Sequence, residues 1–99
     1  MGQPNRLAEQ DVYYCIRITC TRRKEPRVRN LFLHFITKEA NLTLQGLESG
    51  HTDQPDRMSV TASIISATKN DRLMEDIVAR IGLEEGVIAV SWETAMARA

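Results

Sequence analysis

Regular alternation of apolar and polar residues defines the first predicted element of the chain. Between positions 12 and 21, every second residue is apolar and the intervening residues are a mixed set. Because successive side chains of a strand point to opposite faces, this pattern predicts a strand whose sheet is covered on one side. The apolar face consists of Val12, Tyr14, Ile16, Ile18 and Cys20, and the mixed face of Tyr13, Cys15, Arg17 and Thr19.

Three later segments also have the composition of strands. Residues 58–65 alternate as the first strand does, with Ser59, Thr61 and Ser63 on the outward side. Residues 87–92 are short and rich in β-branched and aromatic side chains, as is typical of a strand. Residues 42–49 predict a further strand in which Gly46 weakens the pairing or marks a bulge. The polar residues 50–56 between two of these strands predict a hairpin loop.

Two segments instead repeat apolar residues with the period of a helix. A helix over about residues 26–38 is predicted by Val28, Leu31, Phe32, Phe35 and Ile36. A second helix, ending at Ile81, is predicted by Met74, Ile77, Val78 and Ile81, and residues 68–71 supply its N-cap candidates. Gly82 is predicted to form a left-handed C-cap, and Gly86 to turn the backbone into the last strand.

The order β-α-β-β-α-β predicts an α+β domain of the ferredoxin-like, or ACT-like, class. In this fold a four-stranded antiparallel sheet carries two helices on one face. With 99 residues the chain is expected to form one such domain. We expect the domain to span residues 12–93, after a flexible N-terminal segment or linker at 1–11 and before a C-terminal tail at 94–99.

Composition narrows the classes of function. Lys and Arg together number 13, as do Asp and Glu, so the formal net charge is zero. Nucleic-acid binders normally carry a basic excess for phosphate contacts, so no nucleic-acid partner is predicted. No run of apolar residues is long enough to span a bilayer. Cys15 and Cys20 lie on opposite faces of one predicted strand, so we expect two reduced thiols rather than a disulfide.

Neither an enzyme nor a resident cofactor is predicted, because no spacing couples a nucleophile to a base. His34 and His51 stand apart from both cysteines along the sequence. Soft-metal chaperones of this fold carry Cys-x-x-Cys after the first strand, whereas this chain has Arg23 in place of the second cysteine. A weak candidate set for a divalent metal ion remains in the hairpin loop, although a solvated loop tip is favoured. This set is His51, Asp53 and Asp56.

Two further groups of residues are candidates for binding. Arg22, Arg23 and Lys24 precede the first helix and could hold an anion together with the helix N-terminus, although a solvated charge cluster is favoured. An interaction surface is predicted where the sheet carries small outward side chains, and at its edge strands. The candidates for this surface are Tyr13, Ser59, Thr61 and Ser63. Since only Tyr13 is aromatic, base stacking by RNA is not favoured.

The end of the predicted domain resembles a known family. MgtC/SapB-type membrane proteins have a C-terminal domain that typically ends in a helix followed by Leu-x-x-Gly-Val-x-x-Val-x-Trp. Leu83, Gly86, Val87, Val90 and Trp92 match this pattern. The alternation at residues 14–20 and the Leu-Thr-Leu run from position 42 are similar to the same domain. We interpret Leu83, Gly86, Val90 and Trp92 as architectural residues, with Trp92 in the core.

The resemblance implies a non-enzymatic regulatory or interaction domain. Proteins of this kind are bacterial inner-membrane proteins with an ACT-like tail on the cytoplasmic face. The family is linked to growth at low magnesium and to virulence through survival in macrophages. The implied partners are the protein's own transmembrane domain, other membrane proteins or a second copy of the chain. An alternative is a small-ligand or divalent-metal sensor, but residues 22–27 lack the glycine that amino-acid-binding ACT domains carry there.

Overall fold

The computed structural model describes residues 11–95. Strand β1 spans Val12–Thr21 and is followed by a 3₁₀ turn at Arg22–Lys24 and by helix α1 at Glu25–Thr37. The remaining elements are β2 (Leu42–His51), β3 (Arg57–Ser66), α2 (Asp71–Gly82) and β4 (Val87–Ala95). This order is the predicted β-α-β-β-α-β.

The four strands form one antiparallel sheet in the order β2-β3-β1-β4. In the centre of the sheet, Ile16 of β1 lies opposite Ala62 of β3 on one side and opposite Trp92 of β4 on the other. Both helices cover the same face, since their buried residues share one core with the inward residues of β1 and β3. The predicted fold class is therefore confirmed.

The core lies between the sheet and the helices. β1 contributes its whole predicted apolar face, of which Tyr14, Ile16, Ile18 and Cys20 are almost fully buried. α1 contributes Val28, Phe32 and Ile36, and α2 contributes Met74, Ile77 and Ile81. Burying such side chains stabilises a fold by about 1.5–3 kcal/mol each relative to leaving them in water. Of the helices within residues 11–95, none combines the length and the apolar character needed to cross a bilayer.

Helix boundaries show one confirmed and one wrong prediction. Asn70 is the N-cap of α2, and its side chain accepts a hydrogen bond of 3.1 Å from the Leu73 N–H, as the N-cap candidates predicted. The predicted left-handed cap at Gly82 is wrong, because Gly82 is the last residue of α2 and the C-cap is Leu83, in right-handed geometry with φ −83° and ψ −11°. Gly86 has the positive φ, at 95°. The helix thus ends without a left-handed residue, and the left-handed backbone conformation occurs later, at Gly86.

The strands are longer than their patterns predicted. β2 continues through His51, so the hairpin loop begins after it rather than at position 50. The predicted bulge at Gly46 is present as a shift of register between Leu44 and Gly46. β4 runs to Ala95, two residues into the segment predicted as a tail. The rest of that tail and residues 1–10 of the predicted linker lie outside the described residues.

Candidate functional site

One face of the sheet carries no helix, and all four interaction-surface candidates lie on it. Tyr13 projects from β1, while Ser59, Thr61 and Ser63 project from β3, the neighbouring strand. Ser63 is opposite Cys15, Thr61 opposite Arg17, and Ser59 opposite Thr19. We call this surface the open face. The structure thus brings together residues that are separated by about fifty positions in the sequence.

Small, mostly uncharged side chains dominate the centre of the open face. On β2, Gly46 lies opposite Ser63 of β3, and on β4, Ser91 lies opposite Arg17 of β1. Arg17 and Glu93 form an ion pair of 3.6 Å in which both side chains are 59% exposed. Because β3 is a central strand, the serines belong to a face and not to an edge. A partner could therefore approach the backbone of this face closely.

The edges of the sheet are β2 and β4. The bulge in β2 interrupts its ladder, and bulges are one way in which proteins blunt an edge. β4 pairs with β1 in unbroken register from Ala89 to Ala95 and shifts only near Thr19 and Cys20. The more regular exposed edge is therefore that of β4.

The anion candidates lie at one end of the sheet, beside a pocket of about 720 Å³. Three separate segments form it: the end of β1 with the 3₁₀ turn, the β2–β3 hairpin, and the connection from α2 to β4. We call it the end pocket. Its lining residues are Thr21, Arg22, Arg23, Lys24, Pro55, Asp56, Glu85 and Gly86.

Main-chain hydrogen bonds hold the three segments around the end pocket. The Thr21 N–H donates to the Gly86 carbonyl at 2.8 Å, and the Arg22 N–H donates to the Asp56 carbonyl at 2.7 Å. A Cβ placed on Gly86 would lie 2.5 Å from Cγ of Lys24 and 2.7 Å from its Cβ. Glycine is therefore required here by both the positive φ and the close approach of the Lys24 side chain.

The charges around the end pocket are unequally compensated. Lys24 pairs with Glu85 at 3.8 Å, and the Arg22 guanidinium makes a long hydrogen bond of 3.5 Å to the Pro55 carbonyl. Within residues 11–95, Arg22, Arg23 and Asp56 form no ion pair. Two cationic residues and one anionic residue of the pocket lining thus have no ion-pair partner among residues 11–95.

The N-terminus of α1 already carries a negative group of its own. Glu25 in the first turn is buried, and its carboxylate accepts a 2.5 Å hydrogen bond from the Ser49 hydroxyl. The Arg29 Nε lies 3.0 Å from the same carboxylate as an ion pair, at an angle that does not make a hydrogen bond. The prediction that this helix N-terminus contributes to binding an external anion is therefore not supported.

The candidate metal residues do not converge. His51 ends β2, Asp53 lies in the hairpin loop, and Asp56 lines the end pocket; all three are exposed. Across residues 11–95, no three His, Cys, Asp or Glu side chains come together in a way that could hold a metal ion. The hairpin set is thus spread over the loop instead of forming a site.

The two cysteines differ in their burial and in their surroundings. Both thiols are free; Cys20 is buried and Cys15 half-buried on the open face. Burial raises the pKa of the Cys20 thiol, and the Glu25 carboxylate raises it further. Because the thiolate is the reactive form, this environment disfavours Cys20 as a nucleophile.

Trp92 and Leu83, which both match the family pattern at the end of the domain, differ in burial. Trp92 packs against the core, with its ring edge-on to Tyr14 at 5.7 Å and its Nε1–H donating to Glu75 at 3.0 Å. Leu83, in contrast, is 88% exposed, so the interpretation of Leu83 as an architectural residue is wrong. It follows the end of α2, where the chain has already turned away from the core.

Comparison with known proteins supplies the family. A family model described as the MGTC/SAPB C-terminal domain matches residues 14–92. The chain is 31% identical over 85 residues to the protein MgtC of Salmonella typhi. The aligned region covers 86% of this chain and 36% of that protein. It is 33% identical over 79 residues to MgtC of Brucella abortus, covering 80% and 32% respectively. The chain thus spans about a third of the length of these curated relatives.

Solved structures agree with this match. The solution structure of the C-terminal domain of MgtC from Mycobacterium tuberculosis superposes with a TM-score of 0.79 at 26% identity, covering 88% of this chain and 90% of that one. An ACT domain from GTP pyrophosphokinase of Chlorobium tepidum superposes with a TM-score of 0.63 at 17% identity, which is a likeness of fold.

Proposed function

Since the chain belongs to the MGTC/SAPB C-terminal domain family, we propose that it is a non-enzymatic regulatory and interaction domain of a longer MgtC-type protein. Its open face would dock onto another part of that protein. The domain would lie on the cytoplasmic face of the bacterial inner membrane, beside the membrane-spanning part. The parent protein would act in growth under magnesium limitation and in virulence through survival in macrophages.

The observation that carries this proposal is the open face itself. A four-stranded sheet with both helices on one side leaves the other side uncovered, and here that side is lined by small groups. Ser63 is exposed, and its cross-strand neighbours Cys15 and Gly46 add little bulk. Such a surface suits close packing against a helix or a second sheet, in which main-chain and small side-chain atoms make the contacts.

The length of the relatives supports one occupant over the others. The chain corresponds to only 36% of the length of Salmonella typhi MgtC, so the remaining two-thirds of an MgtC-type protein would be attached to the same polypeptide. An attached partner benefits from a high effective concentration, so even a surface of modest affinity would stay occupied. We therefore favour the parent protein's membrane part over a second copy or another membrane protein.

The alternative of metal sensing receives no support from the hairpin loop. His51, Asp53 and Asp56 are exposed, and no three-ligand cluster exists among residues 11–95. Titration with Mg²⁺ and Zn²⁺, followed by amide NMR shifts, tests this alternative directly. Localised and saturable shifts in the hairpin at sub-millimolar metal would favour a sensor over the interaction domain.

The docking proposal is tested by placing a charge on the open face. Ser63→Lys adds a long cation where both cross-strand neighbours are uncharged, so the fold should tolerate it. Binding of the purified chain to the separately expressed, detergent-solubilised membrane part is measured by biolayer interferometry. We expect Ser63→Lys to weaken this binding by about tenfold or more, because a buried unpaired charge is costly.

Ala79→Lys is the matched control, because Ala79 is exposed on α2, on the opposite side of the sheet. Equal binding by the unsubstituted chain and by Ser63→Lys would refute docking through the open face. A dimer in sedimentation velocity that Ser63→Lys dissociates would assign the face to a second copy instead.

A further inference from the structure

We propose that the end pocket is a binding site for a small organic phosphate, with Arg22 and Arg23 holding the phosphate group and the pocket wall receiving a non-polar body. This inference does not depend on the docking proposal. The end pocket and the open face are built from different residues, and different experiments test them.

The geometry of the end pocket favours a ligand of small-molecule size. Its volume of about 720 Å³ falls within the roughly 300–1,000 Å³ that is typical of ligand sites. The wall is mostly non-polar, although most of the residues that line it are polar or charged. It includes Pro55 and Gly86, and Gly86 has no Cβ to protrude.

The walls of the pocket are fixed rather than loosely apposed. A main-chain hydrogen bond of 2.8 Å joins the end of β1 to the Gly86 carbonyl, and one of 2.7 Å joins the 3₁₀ turn to the Asp56 carbonyl. The Lys24 stem also packs against Gly86 so closely that no side chain could stand there. A pre-formed wall binds a ligand with a smaller ordering cost than a flexible loop would.

The charges select the class of ligand. Lys24 is already paired with Glu85, whereas Arg22 and Arg23 form no ion pair within residues 11–95. Both arginines line the pocket and carry planar guanidinium donors that match phosphate oxygens, and a phosphate monoester carries close to two negative charges at pH 7. A single carboxylate would satisfy them less completely.

Asp56 opposes this attraction and makes the proposal easier to test. Asp56 lines the pocket and has no ion-pair partner in the described part of the chain. A phosphate bound by the arginines would be repelled by this carboxylate, so removing its charge should strengthen binding. A general attraction of anions to the protein surface would not respond to each residue of the pocket in this way.

The bound phosphate group could belong to a free phosphate monoester or to the headgroup of an anionic lipid. Phenyl phosphate serves as the free probe, because it joins a phosphate to a compact non-polar ring. Vesicles of phosphatidylcholine with and without phosphatidic acid serve as the lipid probe. Competition between phenyl phosphate and the vesicles shows whether both use the same site.

The experiment is an amide NMR titration of the chain with phenyl phosphate, with phenol as the uncharged comparison. We expect saturable shifts confined to the amides of the 3₁₀ turn, Asp56 and Gly86, and none with phenol. Arg23→Gln should weaken binding by about tenfold, the effect of one charge-assisted hydrogen bond. Asp56→Asn should strengthen it, by about two- to fivefold for a partly screened charge.

Arg72→Gln is the charge-matched control, since Arg72 lies at the start of α2 near the opposite end of β1. It should leave the phenyl phosphate affinity unchanged. The absence of saturable shifts, equal shifts with phenol, or equal losses in Arg23→Gln and Arg72→Gln would each overturn the proposal. Binding of phenyl phosphate without vesicle binding assigns the pocket to a free ligand, and mutual competition assigns it to a lipid headgroup.

Discussion

The hydroxyl of Tyr14 donates a 2.8 Å hydrogen bond to Oδ1 of Asp71, which joins the start of β1 to the first turn of α2. The same hydroxyl accepts a 2.8 Å hydrogen bond from the Asn70 N–H. Tyr14 is almost fully buried, whereas Asn70 and Asp71 are only partly buried, so both hydrogen bonds lie at the border of the core. Burial is the main reason that the pKa of Tyr14 is raised.

Removal of this hydroxyl should destabilise the domain. Tyr14→Phe keeps the ring and its packing against Trp92 but leaves the Asn70 N–H without its partner. We expect the free energy of unfolding to fall by about 0.5–1.5 kcal/mol, the net contribution of a typical intramolecular hydrogen bond. Urea denaturation measures the change. Tyr13→Phe on the open face is the control and should have little effect; equal losses in the two variants would contradict the role of this bond.

Stability should decline in acid partly through Asp71. The Lys69 ammonium, which donates a 2.6 Å hydrogen bond, and then the Tyr14 hydroxyl hold the pKa of Asp71 below its ordinary value. A carboxyl whose pKa is lower in the folded state stabilises the fold fully above the unfolded-state pKa of about 3.9. This contribution is lost as pH falls through the lowered folded-state pKa.

Asp71→Asn is neutral at every pH and tests this dependence. The difference in unfolding free energy between the unsubstituted chain and Asp71→Asn should be largest near pH 7 and shrink as the pH falls below about 4. Urea denaturation at a series of pH values provides the measurement. Asp76→Asn, at an exposed position on the same helix, is the comparison. A difference that stays constant down to pH 2 would rule out the proposed linkage.

Substitution of Gly86 should be costly, in contrast with substitution of Gly50. Gly86→Ala places a side chain at φ 95°, only 2.5 Å from Cγ of Lys24. We expect a loss of roughly 1–3 kcal/mol, as for other non-glycine residues forced into a left-handed region. Gly50 has no atom within 4 Å of an added Cβ, so Gly50→Ala should change stability little. Thermal and urea unfolding of both variants check the contrast; similar losses would contradict it.

The exposed position of Leu83 leads to a further expectation. Leu83→Ser should change the free energy of unfolding by no more than about 0.5 kcal/mol, because the side chain is already 88% exposed. Ile81→Ala, two residues earlier, should cost about 2–5 kcal/mol, since Ile81 is fully buried. Denaturation measurements on both variants test the contrast. A large loss in Leu83→Ser would mean that this residue packs in the native state.

The sequence predicted the layers of the fold well because those layers depend on local periodicity. The even positions of β1 are apolar and lie in the core, as the period of a strand requires. Val28, Phe32 and Ile36 repeat with the period of a helix, and all three are buried. The bulge at Gly46 and the reversal at Gly86 were also predictable, because glycine marks places where regular backbone gives way.

The candidate sites depended much more on contacts between distant segments. Arg22, Arg23 and Lys24 were recognisable as a charge cluster, but the sequence held no sign that Asp56 and Gly86 would complete a pocket with them. Tyr13 and Ser63 were both predicted to point outward, and only the pairing of β1 with β3 placed them on one face. Leu83 matched the family motif, yet its exposure follows from where α2 ends.

The sequence by itself determined the set of helices and strands and the side of each that is buried. The reason is that apolar residues repeat at a spacing that the local backbone sets, every second residue in a strand and every third or fourth in a helix. Only the tertiary structure decided which ends of those elements meet. The Tyr14–Asp71 bond and the Thr21–Gly86 bond join residues 57 and 65 positions apart, respectively, in the numbering. Strand order and register bring them together, and these are properties of the whole sheet rather than of any one segment.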